Sequence, residues 1–232
     1  MPRVDAGGER PRPASRARGR PLVRSARVAE GTAPEPVGTS LRAIREAAAL
    51  CKRCDLWRPA TQTVFGHGPA RARVLVVGEQ PGDKEDLAGV PFVGPAGRLL
   101  DQALEELGIG REALYLTNAV KHFKFEPRGK ARIHKSPTPA EQKACHLWLE
   151  RELATVKPEV VVALGAIGAK AVFGPKFGLM KQRGEWQALP DGRRGFATVH
   201  PSWVLRQRDS ASREAAFRGF VADLALLTEI DS

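Results

Sequence analysis

A chain of 232 residues, 42% of them hydrophobic, is long enough for one α/β domain with a sizeable core and a tail. Its net charge of +11 favours polyanionic partners, with nucleic acid first among them, but carries no specificity. No run of about 18 apolar residues exists, the opening MPRVDAGGERPRP has no apolar signal-peptide core, and three cysteines make no disulfide framework. The expectation is a cytoplasmic, monomeric protein with no membrane partner.

Residues 1–39 are rich in Arg, Pro, Gly, Ala and Ser and lack apolar periodicity. They read as a disordered basic tail, which either adds non-specific DNA affinity by counterion release or keeps the chain soluble. The folded domain is expected over 40–232. Ser40 caps a helix whose apolar side is Leu41, Ile44, Ala47, Ala48 and Leu50, and that helix delivers Cys51 and Cys54. Val74 to Val77 reads as a buried strand and leads into Gly78-Glu79-Gln80-Pro81-Gly82. Pro95 to Leu107 reads as a helix striped by Leu99, Leu100, Leu104 and Leu107, with Gly108 as its stop.

Leu114 to Val120 is the second strand. The run Lys121 to Lys135 then carries His122, His134 and five further basic residues, Lys124, Arg128, Lys130, Arg132 and Lys135, against the single acid Glu126. It reads as a basic loop, and a basic loop after a strand is well placed to meet phosphate. Ser136 to Pro139 starts a helix running to Val156, with Cys145 on it. Glu159 to Leu164 is a third strand, Gly165 to Phe173 a short helix, Phe196 to Val199 a fourth strand ending at His200-Pro201-Ser202, and Ala215 to Glu229 a closing helix.

Near-continuous apolar strands alternating with helices predict a three-layer α/β/α fold around a central four-stranded, mainly parallel sheet. In such a sheet the carboxyl ends share one edge, where ligands bind. That rule brings Glu79, Gln80, Asn118, His134 and His200 into one crevice. The loop G-E-Q-P-G is neither a dinucleotide nor a Walker fingerprint, and no G-x-S-x-G elbow is present.

Cys51 and Cys54 in C-x-x-C spacing, with Cys145 and His122, make a donor set of three thiols and one imidazole. It suits a [4Fe–4S] cluster or Zn²⁺, and spacing does not separate the two. Cys145 as an inert core cysteine is the plain alternative. His134 reads either as a solvated loop residue or, presented into a crevice, as base, acid or nucleophile. His200, between a strand and Pro201, is the more rigid candidate for a fixed hydrogen-bond donor.

Together these stretches resemble the uracil-DNA glycosylase superfamily. G-E-Q-P-G-D at Gly78 to Asp83 resembles the motif that opens the uracil pocket in the iron–sulfur family 4 enzymes, and P-F-V-G-P-A-G at Pro91 to Gly97, T-N-A-V-K at Thr117 to Lys121 and H-P-S-x-x-L-R at His200 to Arg206 follow in order. Two features are most similar to the UdgX type: His122 replaces the family 4 cysteine, and K-A-R-I-H at Lys130 to His134 is similar to its K-R-R-I-H loop, with Ala131 where the signature has Arg.

The resemblance implies excision of uracil from DNA, single strands preferred, followed by covalent attachment to the abasic sugar. It makes His134 the nucleophile, with Glu79 orienting it. Asn118 reads the uracil edge, Phe92 stacks on the ring, Gln80 lies against the base and His200 donates to uracil O2. Lys130, Arg132, Ser202 and Arg206 contact DNA, and Cys51, Cys54, His122 and Cys145 hold a [4Fe–4S] cluster. The alternatives are an ordinary multiple-turnover family 4 glycosylase and a non-catalytic DNA-binding module with a structural metal.

Overall fold

A computed structural model describes Met1 and residues 30–189 and 191–230. The expected tail therefore lies mostly outside the described residues. Its last part, 30–39, runs along the body. Gly31 N–H donates to Lys52 O, Lys52 N–H returns to Thr32 O, and Thr155 Oγ1 donates to Thr39 O. Ala33 packs on the cysteine-containing cluster.

The main sheet has five strands in the order β2-β1-β5-β7-β6. Strands β1 (Val74–Gly78), β2 (Leu114–Asn118), β5 (Val160–Leu164) and β7 (Arg194–Thr198) are mutually parallel and match the four expected from the sequence. The fifth, β6 (Gln187–Ala188), is an antiparallel edge of two residues. It is too short to announce itself by alternation.

Side chains alternate across the parallel strands with period two. Val74, Val76, Leu114, Leu116, Val160 and Val162 face one core, which is closed by α3 (Pro95–Glu106) and α8 (Ser210–Leu224) through Leu100, Leu104, Phe217 and Phe220. Leu75, Val77, Tyr115 and Val161 face the other, closed by α4 (Pro139–Val156) and α5 (Gly165–Phe173) through Leu149, Val156 and Ile167. This is the expected three-layer arrangement. The closing helix begins earlier than its apolar pattern suggests, because Asp209 caps it through Ser212 N–H, and it ends in a 3-10 turn at Ala225–Glu229. Among the described residues no helix is long and apolar enough to cross a membrane.

The basic run after β2 is not a plain loop. It folds into a separate two-stranded antiparallel hairpin, β3 (Phe125–Arg128) and β4 (Ala131–His134), with Phe125 opposite His134 and Gly129 at φ 58 in the turn. A short helix α2 (Asp83–Ala88), absent from the sequence reading, follows β1.

Candidate active site

The carboxyl ends of β1, β2, β5 and β7 open into one cavity of about 880 Å³. Of the residues expected from the sequence, Glu79, Gln80, Phe92, Asn118, His134, His200, Ser202 and Arg206 line it. Lys130 and Arg132 do not; Lys130 is exposed at the hairpin turn.

At the floor, Asn118 is buried at the end of β2. Gly78 faces it from β1, and a Cβ there would lie 2.4 Å from Asn118 Oδ1 and 2.8 Å from Phe92 Cζ. The bare glycine thus lets an amide and an aromatic ring share one wall. Phe92 is buried in the left-handed region at φ 56, a conformation costly for an aromatic residue. Arg111 holds it there by donating to Phe92 O at 2.9 Å and Pro91 O at 3.1 Å.

His200 caps α7 (Pro201–Leu205). It approaches Gly165 so closely that a Cβ on that residue would meet His200 Cβ at 2.9 Å, and Gly165 itself has φ 83. The tautomer of His200 follows from its partners. Ser202 N–H donates to Nδ1 at 3.2 Å, and the Ser202 hydroxyl lies 2.8 Å from the same nitrogen. Arg206 donates to that hydroxyl at 3.0 Å, so the hydroxyl proton is left for Nδ1. Nδ1 is therefore an acceptor and Nε2 carries the hydrogen. Burial, with Arg206 and His134 nearby, lowers the His200 pKa to about 4, so the ring is neutral at physiological pH. Ser202, expected on DNA, spends its hydroxyl on this relay.

His134 ends β4 with its side chain half exposed, and its Nε2 lies 3.8 Å from Glu79 Oε1. That carboxylate oxygen is buried and has no hydrogen-bond partner among the described residues. Desolvation lowers the His134 pKa, Glu79 opposes the shift and Arg206 adds to it. The free ring is thus held towards its neutral, nucleophilic form.

Three ties fix the hairpin. Gln80 Nε2 donates to Lys124 O and Lys135 O, and its Oε1 accepts from Lys124 N–H. Its amide is engaged with the hairpin base, while the residue still lines the cavity where the base is expected. Arg132 bridges Asp83 Oδ1 at 2.6 Å and Asp86 Oδ2 at 2.5 Å on α2, and it stacks over Phe123 and Phe125. Its guanidinium is engaged in these pairs, so Arg132 anchors the hairpin to α2. Lys124 pairs with Glu141, which also completes the capping box of α4 with Thr138. Sequence reasoning missed Asp83 and Asp86; their spacing of three on a helix, facing a basic loop, was the available signal.

Cys51 and Cys145 are buried in one apolar cluster, with Cys54 packed on it. Burial pushes the Cys145 thiol up to about 12, and Cys54 and Cys51 add to the rise. Burial likewise raises Cys54. Lys121 N–H donates to Cys145 Sγ at 3.2 Å. His122 is buried and its pKa is lowered to about 4 by that burial. Its Nε2 lies 2.9 Å from Thr63 Oγ1, whose own hydrogen goes to Ala48 O. Thr63 must then accept, so Nε2 carries the proton and Nδ1 keeps a free lone pair. Thiols this reluctant to ionise, grouped in an apolar cluster, need a soft cation to become thiolates. The donor set fits a metal cluster in this chemical sense. Among the described residues no three His, Cys, Asp or Glu side chains converge as they would around a single ion.

A family model described as the uracil DNA glycosylase superfamily matches residues 65–225. The chain is similar to the Type-4 uracil-DNA glycosylase of Thermotoga maritima, 38% identical over 171 residues, or 73% of this chain and 85% of that protein. It is also similar to the Type-4 uracil-DNA glycosylase of Sulfurisphaera tokodaii, 36% identical over 72% of this chain and 76% of that protein. A Type-5 uracil-DNA glycosylase of Thermus thermophilus is 32% identical, covering 72% and 88% respectively.

Proposed function

The chain belongs to the uracil DNA glycosylase superfamily, and from that premise we propose that it excises uracil from DNA and then captures the abasic sugar through His134, as UdgX-type proteins do. The observation that carries the reading is the pairing of His134 Nε2 with the unpartnered Glu79 Oε1 at the mouth of the cavity.

A base within a duplex is out of reach, so the nucleotide is flipped or comes from a single strand. Ile133, Met180 and Trp203 line the cavity and are exposed by 42%, 65% and 37%. Such an apolar rim suits unpaired bases and supports the single-strand preference. Asn118 accepts from uracil N3–H and donates to O4, a pattern that cytosine reverses. Phe92 supplies the stacking face.

Cleavage sends the bonding electron pair to uracil N1, with charge delocalised onto O2. The Nε2–H of neutral His200 stabilises that anion. The sugar becomes oxocarbenium-like at C1′. The lone pair of His134 forms the new N–C1′ bond in place of water, because the imidazole is already in position. Glu79 stabilises the imidazolium that results, and loss of the remaining ring proton leaves a neutral N-glycosyl imidazole. Lys130, Arg132, Ser202 and Arg206 are the candidate DNA contacts. Cys51, Cys54, His122 and Cys145 would hold a [4Fe–4S] cluster, which when bound ties the end of helix α1 (Leu41–Ala48) to α4 and to the segment after β2.

The test is incubation with uracil-containing single-stranded DNA followed by a denaturing gel. An SDS-resistant band of one protein per strand is expected, and His134→Ala should lack it. The Type-4 relatives favour a second reading, ordinary turnover. Release of many uracils per protein with no adduct would replace covalent capture by that reading.

A further inference from the structure

We propose that Lys121 is a positioning residue for the uracil-reading amide, its buried ammonium fixing the backbone from which Asn118 projects. The inference rests on the reading of Asn118 given above. Lys121 is 1% exposed and its partner Glu152 is fully buried. The ammonium has three hydrogens and three acceptors: Glu152 Oε2 at 2.5 Å, Thr117 Oγ1 at 2.7 Å and Asn118 O at 2.7 Å. It is saturated, and one of its bonds ends on the reading residue itself.

The surrounding bonds make this a clamp. Ala119 N–H donates to Gly78 O and Val120 N–H to Glu79 O, so the pairing of β1 and β2 continues past Asn118 into the turn. The Lys121 side chain closes that turn from beneath. Its own N–H goes to Cys145 Sγ, and its carbonyl accepts from Val64 N–H. Glu152 is held in turn by Gly66 N–H, the Tyr115 hydroxyl and Thr117. Asn118 is thus pinned at its carbonyl while its amide faces the cavity. Stability alone gives no reason for the pair, since apolar residues of similar volume fill a core equally well or better. What an apolar pair would lack is the bond to Asn118 O. An amide that tells uracil from cytosine by donor and acceptor order depends on its orientation, and small misplacements are costly at a reacting centre.

The test uses the full chain with K121M/E152Q. Met fills the lysine's space. Gln keeps an acceptor for Gly66 N–H and Tyr115, so no buried charge is stranded. Uracil release from single-stranded DNA is measured under single-turnover conditions, together with the melting temperature. A fall of roughly tenfold to hundredfold in the release rate is expected, with the DNA concentration for half-maximal rate unchanged. The same double change is then made in an Asn118→Ala background. Positioning predicts no further loss there, whatever the melting temperature does, because the amide being positioned is gone. Equal losses in both backgrounds, or a double variant that releases uracil at the wild-type rate, would overturn the role of Lys121. A wild type that releases no uracil would overturn the glycosylase reading, and this inference with it.

Discussion

The guanidinium of Arg132 meets Asp86 at 2.5 Å, and Asp86 has no exposed surface. A cation on the hairpin is therefore fastened to a buried acid on a different element, one whose carboxylate also accepts from Thr61 N–H. The hairpin is held by this charge rather than by an apolar core of its own. Arg132→Gln should loosen it. Hydrogen bonds to charged groups are worth about 1.5–3 kcal/mol, and a loss in that range is expected in chemical denaturation. Covalent capture, followed on a denaturing gel, should fall at least about tenfold, while uracil release changes less. Equal losses in both steps would mean that the hairpin shapes the pocket itself.

Gly78→Ala tests the wall shared by Asn118 and Phe92. The added methyl would intrude on both side chains within 3 Å. Overpacking of this kind costs about 1–3 kcal/mol. The expected result is a folded protein of reduced melting temperature whose uracil release is nearly abolished. Unchanged release would argue that neither group reads the base.

The His200 relay predicts a graded pair. Removing the donor itself, His200→Ala, should slow release by about a hundredfold to a thousandfold. Ser202→Ala removes the hydroxyl but keeps the backbone N–H on Nδ1, so the tautomer survives and the loss should be severalfold only. Rates of uracil release measured side by side decide the point. Equal loss in the two variants would put the hydroxyl, not the imidazole, at the reacting centre.

The pH profile follows from the two depressed histidines that line the cavity, His134 and His200. A lowered pKa keeps an imidazole neutral further into acid. Capture through His134 should be flat from pH 8 to below the ordinary histidine value of about 6.5, and fall only as pH drops through the lowered pKa. Release should hold until His200 titrates near 4. A capture midpoint at or above the ordinary value would exclude a neutral, desolvated His134 as nucleophile.

Metal content offers a separate check. Purified protein should show visible iron–sulfur absorbance, and Cys145→Ser should lose it together with thermal stability. A colourless protein containing one zinc would replace the cluster with a single ion.

The four parallel strands and the helices packed on them were legible because buried strands and amphipathic helices write their periods into the chain. The convergence of Glu79, Asn118 and His200 followed from topology alone. The hairpin was hidden by its composition: K-F-E-P-R-G-K-A-R-I-H alternates poorly, and its order comes from Gln80, Asp83, Asp86 and Glu141, all supplied by other elements. The same blindness hid the intramolecular partners of Gln80 and Arg132, which come from segments distant in the sequence. The left-handed Phe92 left no local trace, since its conformation is imposed by Arg111, nineteen residues on.

The two-stranded hairpin shares no ladder with the five-stranded sheet. It is an attachment riveted onto a finished scaffold, and its joints are polar. On the proposed reading, the choice between releasing and keeping a reactive sugar would rest on a part that lies outside the ladder of the main sheet.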